Sequence, residues 1–499
     1  MILKDATQIN RKEFIQQFSL GMGALGASMF FPLPLMAGAN NLAKTNNPKD
    51  ILILGAGLAG LAAARELDKA GHKVSVLEAR NRPGGRVSTL RNPFPDGLYA
   101  EEGAVGFSST YTQSLKYIDE LGLERIPYPL PEKEVVYYFN GKRLEAKLGE
   151  TADWPYELTE EEKKLDPMGL VFKYIMEPLP EENLNPDAWD QPPLIDLDEI
   201  SLYDYMKRQG ASEGAIKLVQ NTQWFAAEPK ETSGLSMAVS DFGLFMSGTS
   251  FFVLKGGNDK LPAAMSKQLG DKIKYNSRVT GLRESDDKAF VEVKNDAGET
   301  EYQADYVICT IPAAVLAGIP FEPALPVLKA EALQQLPVLD VTRSFFQTNK
   351  AFWLEKDLSG AAYTDLPVKQ ITPYTMSQNP AENPGILESY AMGKGAKALG
   401  KLEKQELENK LLPEIKKIFP EIGDHHEDTY VKAWGEDPYA LGGPSFPAPG
   451  DVTKYLKALQ EPHGRFHFAG EYTSILRSTM EGALRSGANV AKAINALKG

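Results

Sequence analysis

The chain has 499 residues and a formal net charge of −13. This length exceeds that of one hydrophobic core, so we expect two or three interwoven domains. The charge argues against nucleic acid and anionic membrane surfaces as partners. The single cysteine, Cys309, excludes an internal disulfide. The 5 histidines lack accompanying ligands at suitable spacing, and we predict no metal site.

Residues 1–39 have the pattern of an export signal. Arg11-Lys12 precedes an apolar segment rich in Gly and Ala, and Met36-Ala37-Gly38-Ala39 has the character of a cleavage site. The basic pair resembles a twin-arginine signal with lysine at one arginine position. We therefore predict an exported, periplasmic protein with a polar linker over residues 40–50. An uncleaved N-terminal membrane anchor is the alternative.

A nucleotide-binding turn follows the linker. The apolar residues 51–54 predict a buried parallel strand, and Gly55, Gly57 and Gly60 come next at G-x-G-x-x-G spacing. The first glycine allows a tight turn, the second lets a pyrophosphate approach the backbone, and the third lets helix and strand pack closely. Residues 61–70 predict that helix.

A second strand, predicted over residues 74–77, ends at Glu78. An acid at this distance from the glycines accepts hydrogen bonds from a ribose. A second glycine turn with an arginine, Arg82-Pro83-Gly84-Gly85-Arg86-Val87, follows at once. It can bring backbone amides and a cation to the same pyrophosphate. Together these features predict dinucleotide binding.

The combination GAGLAGLAAA…LEARNRPGGRV resembles the flavin-dependent amine oxidase superfamily, in which the nucleotide is FAD. The resemblance implies an α/β fold, in which an FAD-binding Rossmann-like domain of the glutathione-reductase type is interwoven with an α+β substrate domain and a helical insertion. The expected FAD-binding parts are residues 51–135, 250–312 and 431–499. The expected substrate domain is 136–153 and 313–430, and the helical cap is 154–249.

The resemblance also assigns cofactor contacts. The loop around residues 103–105 passes under the flavin, and Val279 contacts the adenine through its backbone. Glu471, in FAGEYT, binds the ribityl chain or the pyrophosphate edge. A helix beginning at Met480 points at the flavin pyrimidine, where its N-terminus favours the anionic reduced ring. The full set is Gly55, Gly57, Leu58, Ala59, Gly60, Glu78, Ala79, Arg80, Gly85, Arg86, Gly103, Ala104, Val105, Val279, Trp434, Gly470, Glu471, Thr479, Met480 and Ala483.

The attachment of the flavin is predicted to be non-covalent. Some monoamine oxidases have a flavin-linking cysteine just after a pair of glycines, and here that position is Pro444. The same enzymes flank the substrate with two tyrosines. Ser445 and Thr479 take those positions, so the usual aromatic cage is missing.

Four residues are our candidates for the catalytic site. Tyr390 stands where L-amino-acid oxidases have a carboxylate-binding tyrosine, whereas their carboxylate-binding arginine is replaced by Gly106. Arg477 is the candidate substitute for that arginine, beside Thr479. Arg343 stands where these oxidases have a lysine that holds a water near flavin N5. With Arg477, it would favour a substrate that carries a carboxylate or another anion.

We therefore expect an FAD-dependent enzyme that oxidatively deaminates a small-molecule amine or L-amino acid, transferring a hydride to flavin N5 and passing electrons to oxygen or a redox carrier. The alternatives are a flavin dehydrogenase or desaturase with another electron acceptor, or a flavin-binding protein without catalysis. A homodimer is compatible with the sequence. The sequence does not identify the substrate.

Overall fold

The computed structural model describes residues 42–95, 97–248, 250–375 and 382–497. The predicted export signal and the first part of the linker lie outside the described residues. Among the helices that are described, none is long and apolar enough to cross a membrane.

A five-stranded parallel sheet forms the base of the nucleotide domain. Its central strand is Asp50–Leu54, and the next strand, Lys73–Leu77, pairs with it in parallel. Such pairing needs a crossover connection, which is the helix Leu58–Ala70. In spatial order the strands are Ile273–Lys274, Lys73–Leu77, Asp50–Leu54, Tyr306–Cys309 and Phe466–Phe468.

The last helix, Met480–Ala496, packs against Leu58–Ala70, the first helix among the described residues. A Cβ on Gly487 would lie 2.0 Å from the backbone oxygen of Ala59, so only glycine allows this approach. The helices Leu58–Ala70 and Met480–Ala496 thereby lie side by side at the glycine turn.

Three strands of a four-stranded sheet precede the strand Tyr306–Cys309 in the chain, and its fourth strand follows it. Its strands are, in spatial order, Gly298–Ala304, Ala289–Asn295, Arg278–Glu284 and Phe321–Glu322. The predicted hairpin around Asp296-Ala297-Gly298 is present, with Asn295 paired to Gly298.

A seven-stranded sheet forms the second domain. In spatial order its strands are His426–Ala433, Val341–Thr348, Gly385–Met392, Gln370–Thr375, Leu358–Thr364, Glu134–Phe139 and Lys142–Ala146. The predicted boundary at residue 431 falls inside the first of these strands, because His426–Ala433 pairs with Val341–Thr348 over its whole length. The boundary at 136 likewise falls inside Glu134–Phe139.

The described part of the segment 154–249, residues 154–248, consists of short helices and turns. It buries its apolar residues together with Val135, Tyr137 and Phe139 of the seven-stranded sheet, as expected for a cap. Its helical segments are Glu162–Lys164, Pro167–Val171, Phe172–Met176, Glu181–Leu184, Pro186–Ala188, Ile195–Leu197, Leu202–Arg208, Glu213–Thr222, Trp224–Ala226, Gly234–Ser236 and Met237–Phe245.

The remaining elements connect these layers. Helix Val327–Gln335 packs against Asp451–Gln460 and shares the core of the nucleotide domain, although we predicted residues from 313 onward in the substrate domain. The other helices are Thr112–Glu120, Lys260–Leu269, Gly270–Lys272, Ala313–Leu316, Phe352–Lys356, Lys394–Gly400, Lys404–Ile418, Ile422–His425 and Glu471–Thr473. The short strands are Thr89–Leu90, Ala100–Glu101, Phe107–Ser108, Arg125–Pro127 and Phe251–Leu254.

Candidate active site

One continuous cavity of about 4420 Å³ runs from the glycine turn to the seven-stranded sheet. Pockets for small ligands usually measure about 300–1,000 Å³, so this cavity is large enough for a dinucleotide and a substrate together. All the residues predicted to bind the cofactor line it except Gly60. Of the candidate catalytic residues, Arg343, Tyr390 and Thr479 line it and Arg477 does not.

The three motif glycines have three different environments, which match the roles expected of them. Gly55 has a φ of +108°, a conformation that side chains disfavour. A Cβ on Gly57 would have no atom within 4 Å, so the backbone there faces open space. A Cβ on Gly60 would lie 2.0 Å from the oxygen of Gly55, because the helix packs against the turn. The turn therefore fits a pyrophosphate.

Glu78 is held at the end of its strand by two backbone amides. Its Oε2 accepts from Ala56 N at 2.7 Å and its Oε1 accepts from Arg80 N at 2.8 Å. Burial raises the pKa of Glu78, and the bonds from Arg80 and Ala56 oppose that shift. The carboxylate is thereby fixed beside the glycine turn.

Glu471 has a set of protein partners that differs from the cofactor contact we predicted. Its carboxylate accepts from the Arg86 guanidinium at 3.1 Å, from the amide and hydroxyl of Ser445 at 3.2 and 2.7 Å, and from the amide of Ser478 at 3.1 Å. Since these donors occupy both oxygens, the geometry favours a role in which Glu471 positions Arg86.

The loop predicted to pass under the flavin is held from two sides. Trp434 Nε1 donates to the oxygen of Glu102 at 2.7 Å, and Arg343 Nη1 donates to the oxygen of Gly103 at 2.5 Å. A Cβ on Gly103 would lie 2.0 Å from the oxygen of Arg86. The loop is therefore packed directly on the second glycine turn.

Thr479 is the N-cap of the last helix. Its hydroxyl accepts from Gly482 N at 2.9 Å and donates to Leu476 O at 2.7 Å. Both hydrogen-bonding functions are used within the protein, so the hydroxyl has a structural role instead of the catalytic role we predicted. Met480 and Ala483, in the first turn of this helix, line the cavity as expected for a helix N-terminus near a cofactor.

Arg343 forms a buried ion pair with Glu388. Its Nε donates to Glu388 Oε1, and Tyr374 donates its hydroxyl to Glu388 Oε2 at 2.9 Å. Burial lowers the pKa of Arg343, but Glu388, Tyr374 and Tyr390 outweigh that effect and raise it. We did not predict Glu388 as a site residue, although an acid beside Ile386 and Leu387 in a strand is a signal of a buried partner.

Arg477 points away from the cavity. Its Nη2 donates to Asp241 Oδ2 at 3.0 Å, its Nε contacts the hydroxyl of Ser236, and its guanidinium lies 4.0 Å from the centre of the Phe446 ring. Only 2% of its surface is exposed. Because these partners come mostly from the cap, Arg477 joins the cap to the segment that leads into the last helix, and it does not line the cavity.

One row of residues crosses the cavity face of the seven-stranded sheet. Strand register places Arg343 opposite Tyr390, Tyr390 opposite Gln370, Gln370 opposite Tyr363, and Tyr363 opposite Tyr137. Residues directly opposite each other share a face, and all five line the cavity. The wall facing the flavin loop is therefore mainly aromatic. Of these residues, the sequence indicated only Arg343 and Tyr390.

A glycine-turn cradle that opens into a cavity walled by a second, mixed sheet defines a dinucleotide-dependent oxidoreductase. The family model of flavin containing amine oxidoreductases matches residues 58–495, and the chain belongs to that family. The predicted family and fold class are thus confirmed. The protein is a flavin-dependent enzyme that oxidatively deaminates a small-molecule amine or amino acid.

Two kinds of known protein resemble the chain over most of its length. The L-amino-acid oxidase of Bothrops pauloensis is 29% identical, over 91% of this chain and 91% of that protein. Among solved structures, putrescine oxidase bound to putrescine has a TM-score of 0.74 and 24% identity, over 90% of this chain and 100% of that one. Cyclohexylamine oxidase from Brevibacterium oxydans IH-35A has a TM-score of 0.73 and 23% identity, with 90% and 99% coverage.

Proposed function

We propose that the protein is an exported amine oxidase that holds FAD without a covalent bond and uses oxygen or a redox carrier as its electron acceptor. The observation that carries this proposal is the continuity of the cavity, which joins the glycine turn at Gly57 to the wall at Tyr390. A dinucleotide that lies along Gly57 and passes the loop at Gly103 would reach that wall.

In the overall reaction, the amine loses two electrons and two protons and becomes an imine, which water hydrolyses to a carbonyl compound and ammonia. Bound flavin supplies the acceptor for the hydride. The chain's own residues orient the amine and exclude water. The tyrosine wall supports this role, because its rings offer an apolar surface with hydroxyls at the edges.

The cradle can be tested with a matched pair of glycine variants. Gly57→Val fills the open space beside the turn, whereas Gly395→Val adds the same side chain in open space on a distant helix. We expect Gly57→Val to purify folded but with little flavin, and Gly395→Val to keep full flavin. Full occupancy in both would contradict the proposed path of the dinucleotide.

The activity is tested by anaerobic addition of amines and amino acids to the flavin-loaded enzyme. Bleaching of the flavin absorbance identifies a substrate and separates a catalyst from a protein that only binds flavin. Reduction without subsequent peroxide formation in air would favour the dehydrogenase alternative. Chromatography with light scattering decides between monomer and homodimer.

A further inference from the structure

The substrate side of the cavity has an unusual charge balance. Among the described residues of the seven-stranded sheet that line the cavity, Arg343 is the only cation, and its charge is neutralised by Glu388. The nearest cations along the adjoining chain that line the cavity are Arg125, Lys133 and Lys147. Arg125 and Lys133 are more than one-third exposed and pair with Asp119 and Asp357, and Lys147 is exposed to solvent. A substrate at the wall therefore meets no uncompensated positive charge from that sheet.

A second buried acid lies near the same guanidinium. Glu101 is 5% exposed, and its oxygens accept from Asn258 N at 2.8 Å and Thr89 Oγ1 at 2.9 Å. It lies close enough to Arg343 to interact with it electrostatically. The guanidinium of Arg343 is thus paired with Glu388 and has a second buried acid, Glu101, close by, so a carboxylate brought by an amino acid would be desolvated without a cation of its own.

The Tyr128 ring fills the space that a cationic side chain at position 106 would need. A Cβ on Gly106 would lie 3.1 Å from the Tyr128 ring, so the ring blocks a longer side chain at position 106. Burial, Glu388 and Tyr363 raise the pKa of Tyr128 to about 12, and the hydroxyl is therefore neutral at working pH. Within the described residues, no hydrogen bond engages the hydroxyls of Tyr128, Tyr363 or Tyr390, which line the same cavity.

We propose that this enzyme selects amines that carry no carboxylate. Tyr128, Tyr363 and Tyr390 form a neutral aromatic compartment, and Arg343, the only cation among the described sheet residues that line the cavity, is already paired with Glu388. The proposal rests on the proposed function and specifies its substrate class as alkyl- and arylalkylamines. It reverses our expectation that Arg343 and Arg477 favour an anionic substrate, since both guanidinium groups are paired with buried acids. Aromatic rings also attract an ammonium group.

Pairs of compounds that differ only by a carboxylate give a direct test. Each L-amino acid is compared with its decarboxylation product: L-phenylalanine with 2-phenylethylamine, L-leucine with 3-methylbutylamine, and L-lysine with cadaverine. The rate of anaerobic flavin reduction is measured against concentration. We expect the efficiency of flavin reduction, its rate relative to the substrate concentration required, to be roughly a hundredfold higher for the best amine than for its amino acid. An unfavourable charge contact in a buried site strongly disfavours binding of the amino acid.

The outcomes separate the two claims. Amino acids that match or exceed their amines would overturn the substrate class and leave the oxidase function standing. If no member of any pair reduces the flavin, the proposed function fails, and this inference fails with it.

A binding measurement tests the roles of the residues. In Glu388→Gln the guanidinium of Arg343 loses its counter-charge, so calorimetry should show 3-phenylpropanoate binding at least roughly tenfold tighter than in the wild type. The control is Glu134→Gln, which removes a carboxylate three strands away in the same sheet and should leave this affinity unchanged. Equal affinity in Glu388→Gln and the wild type would overturn the role of Glu388.

A second variant tests the ring without breaking the ion pair. Tyr128→Ala combined with Gly106→Arg removes the block and adds a cation at the cavity. We expect the ratio of L-phenylalanine to 2-phenylethylamine efficiency to rise at least roughly tenfold. An unchanged ratio in this variant, even if Glu388→Gln does not fold, would overturn the selection by Tyr128.

Discussion

The carboxylate of Glu78 and the amide of Ala56 are joined by a hydrogen bond of 2.7 Å that crosses from the end of the second strand to the glycine turn. The bond holds Glu78, 6% exposed, against the turn that it is predicted to serve. An acid fixed in this way can accept hydrogen bonds from a ribose without reorganising. Removing the Glu78 carboxylate should therefore weaken both its hold on the glycine turn and its binding of the nucleotide.

We therefore expect Glu78→Ala to lose FAD. A hydrogen bond to a charged group contributes about 1.5–3 kcal/mol, so the dissociation constant should rise tenfold or more, as measured by flavin release on dilution. Glu78→Gln is the matched control, because its amide oxygen can still accept from Ala56, and its loss should be smaller. Full occupancy of Glu78→Ala at low concentration would show that Glu78 does not bind the nucleotide.

The flavin should be released when the protein is denatured. Pro444 lines the cavity where a linking cysteine would stand, and Cys309 is fully buried in the nucleotide sheet, where burial raises the pKa of its thiol. Because only a thiolate would readily form a bond to the flavin, Cys309 is not expected to link it. Precipitation with acid should leave a colourless pellet and a yellow supernatant, and a pellet that stays yellow would contradict non-covalent binding.

The nucleotide half of the molecule depends mainly on contacts between residues that are close in sequence, which is why the sequence predicts it well. The roles of Gly55, Gly57 and Gly60 depend on residues within one turn, and the strand predicted over residues 74–77 is present as Lys73–Leu77. The fold class follows from these motifs and is confirmed by the family match.

The substrate half depends on contacts between distant segments, and the sequence predicts it poorly. Arg343 and Glu388 are 45 residues apart, and they meet because two antiparallel strands pair in one register. Arg477 and Asp241 are 236 residues apart and meet only when the cap closes on the last helix. A local motif carries no information about either partner, so the sequence predicts neither ion pair.

Glu101 should make the stability of the protein depend on pH. Burial raises its pKa from 4.5 to about 7, against the bonds from Asn258 and Thr89. The folded state therefore binds a proton more tightly than the unfolded state, so this contribution is complete below about pH 4.5 and lost as the pH rises through 7. Its size is of order 3 kcal/mol.

The measurement is the melting temperature of the wild type and Glu101→Gln between pH 8 and pH 5. As the pH falls, the wild type should gain stability relative to the variant, which cannot titrate at this position. Parallel curves would contradict a buried Glu101 with a raised pKa.

Export should depend on the N-terminal segment, with the mature chain beginning near Asn40. The prediction rests on Arg11-Lys12 and the small residues before Asn40. Sequencing the N-terminus of protein from the native host decides it, with a Lys12→Gln variant as a test of the basic pair. An intact Met1 on protein recovered from the cytosol would refute export.

The final prediction concerns how electrons leave the enzyme. Arg343 donates to the carbonyl of Gly103 and pairs with Glu388, and its partners raise its pKa further. A lysine here would be a compact ammonium able to hold a water and hand over a proton. An arginine is planar, more weakly hydrated and permanently charged, so it cannot supply a proton to reduced oxygen.

We therefore expect oxygen to reoxidise the reduced enzyme slowly, and an artificial acceptor or a periplasmic carrier to give faster turnover. Stopped-flow mixing of the reduced enzyme with aerated buffer measures this step. In Arg343→Lys the shorter side chain and the regained water should accelerate reoxidation, while the matched variant Lys432→Arg, on the neighbouring strand opposite Arg343, should leave the rate unchanged. Reoxidation as fast as reduction by the substrate, and unaltered in Arg343→Lys, would show that Arg343 does not determine the electron acceptor.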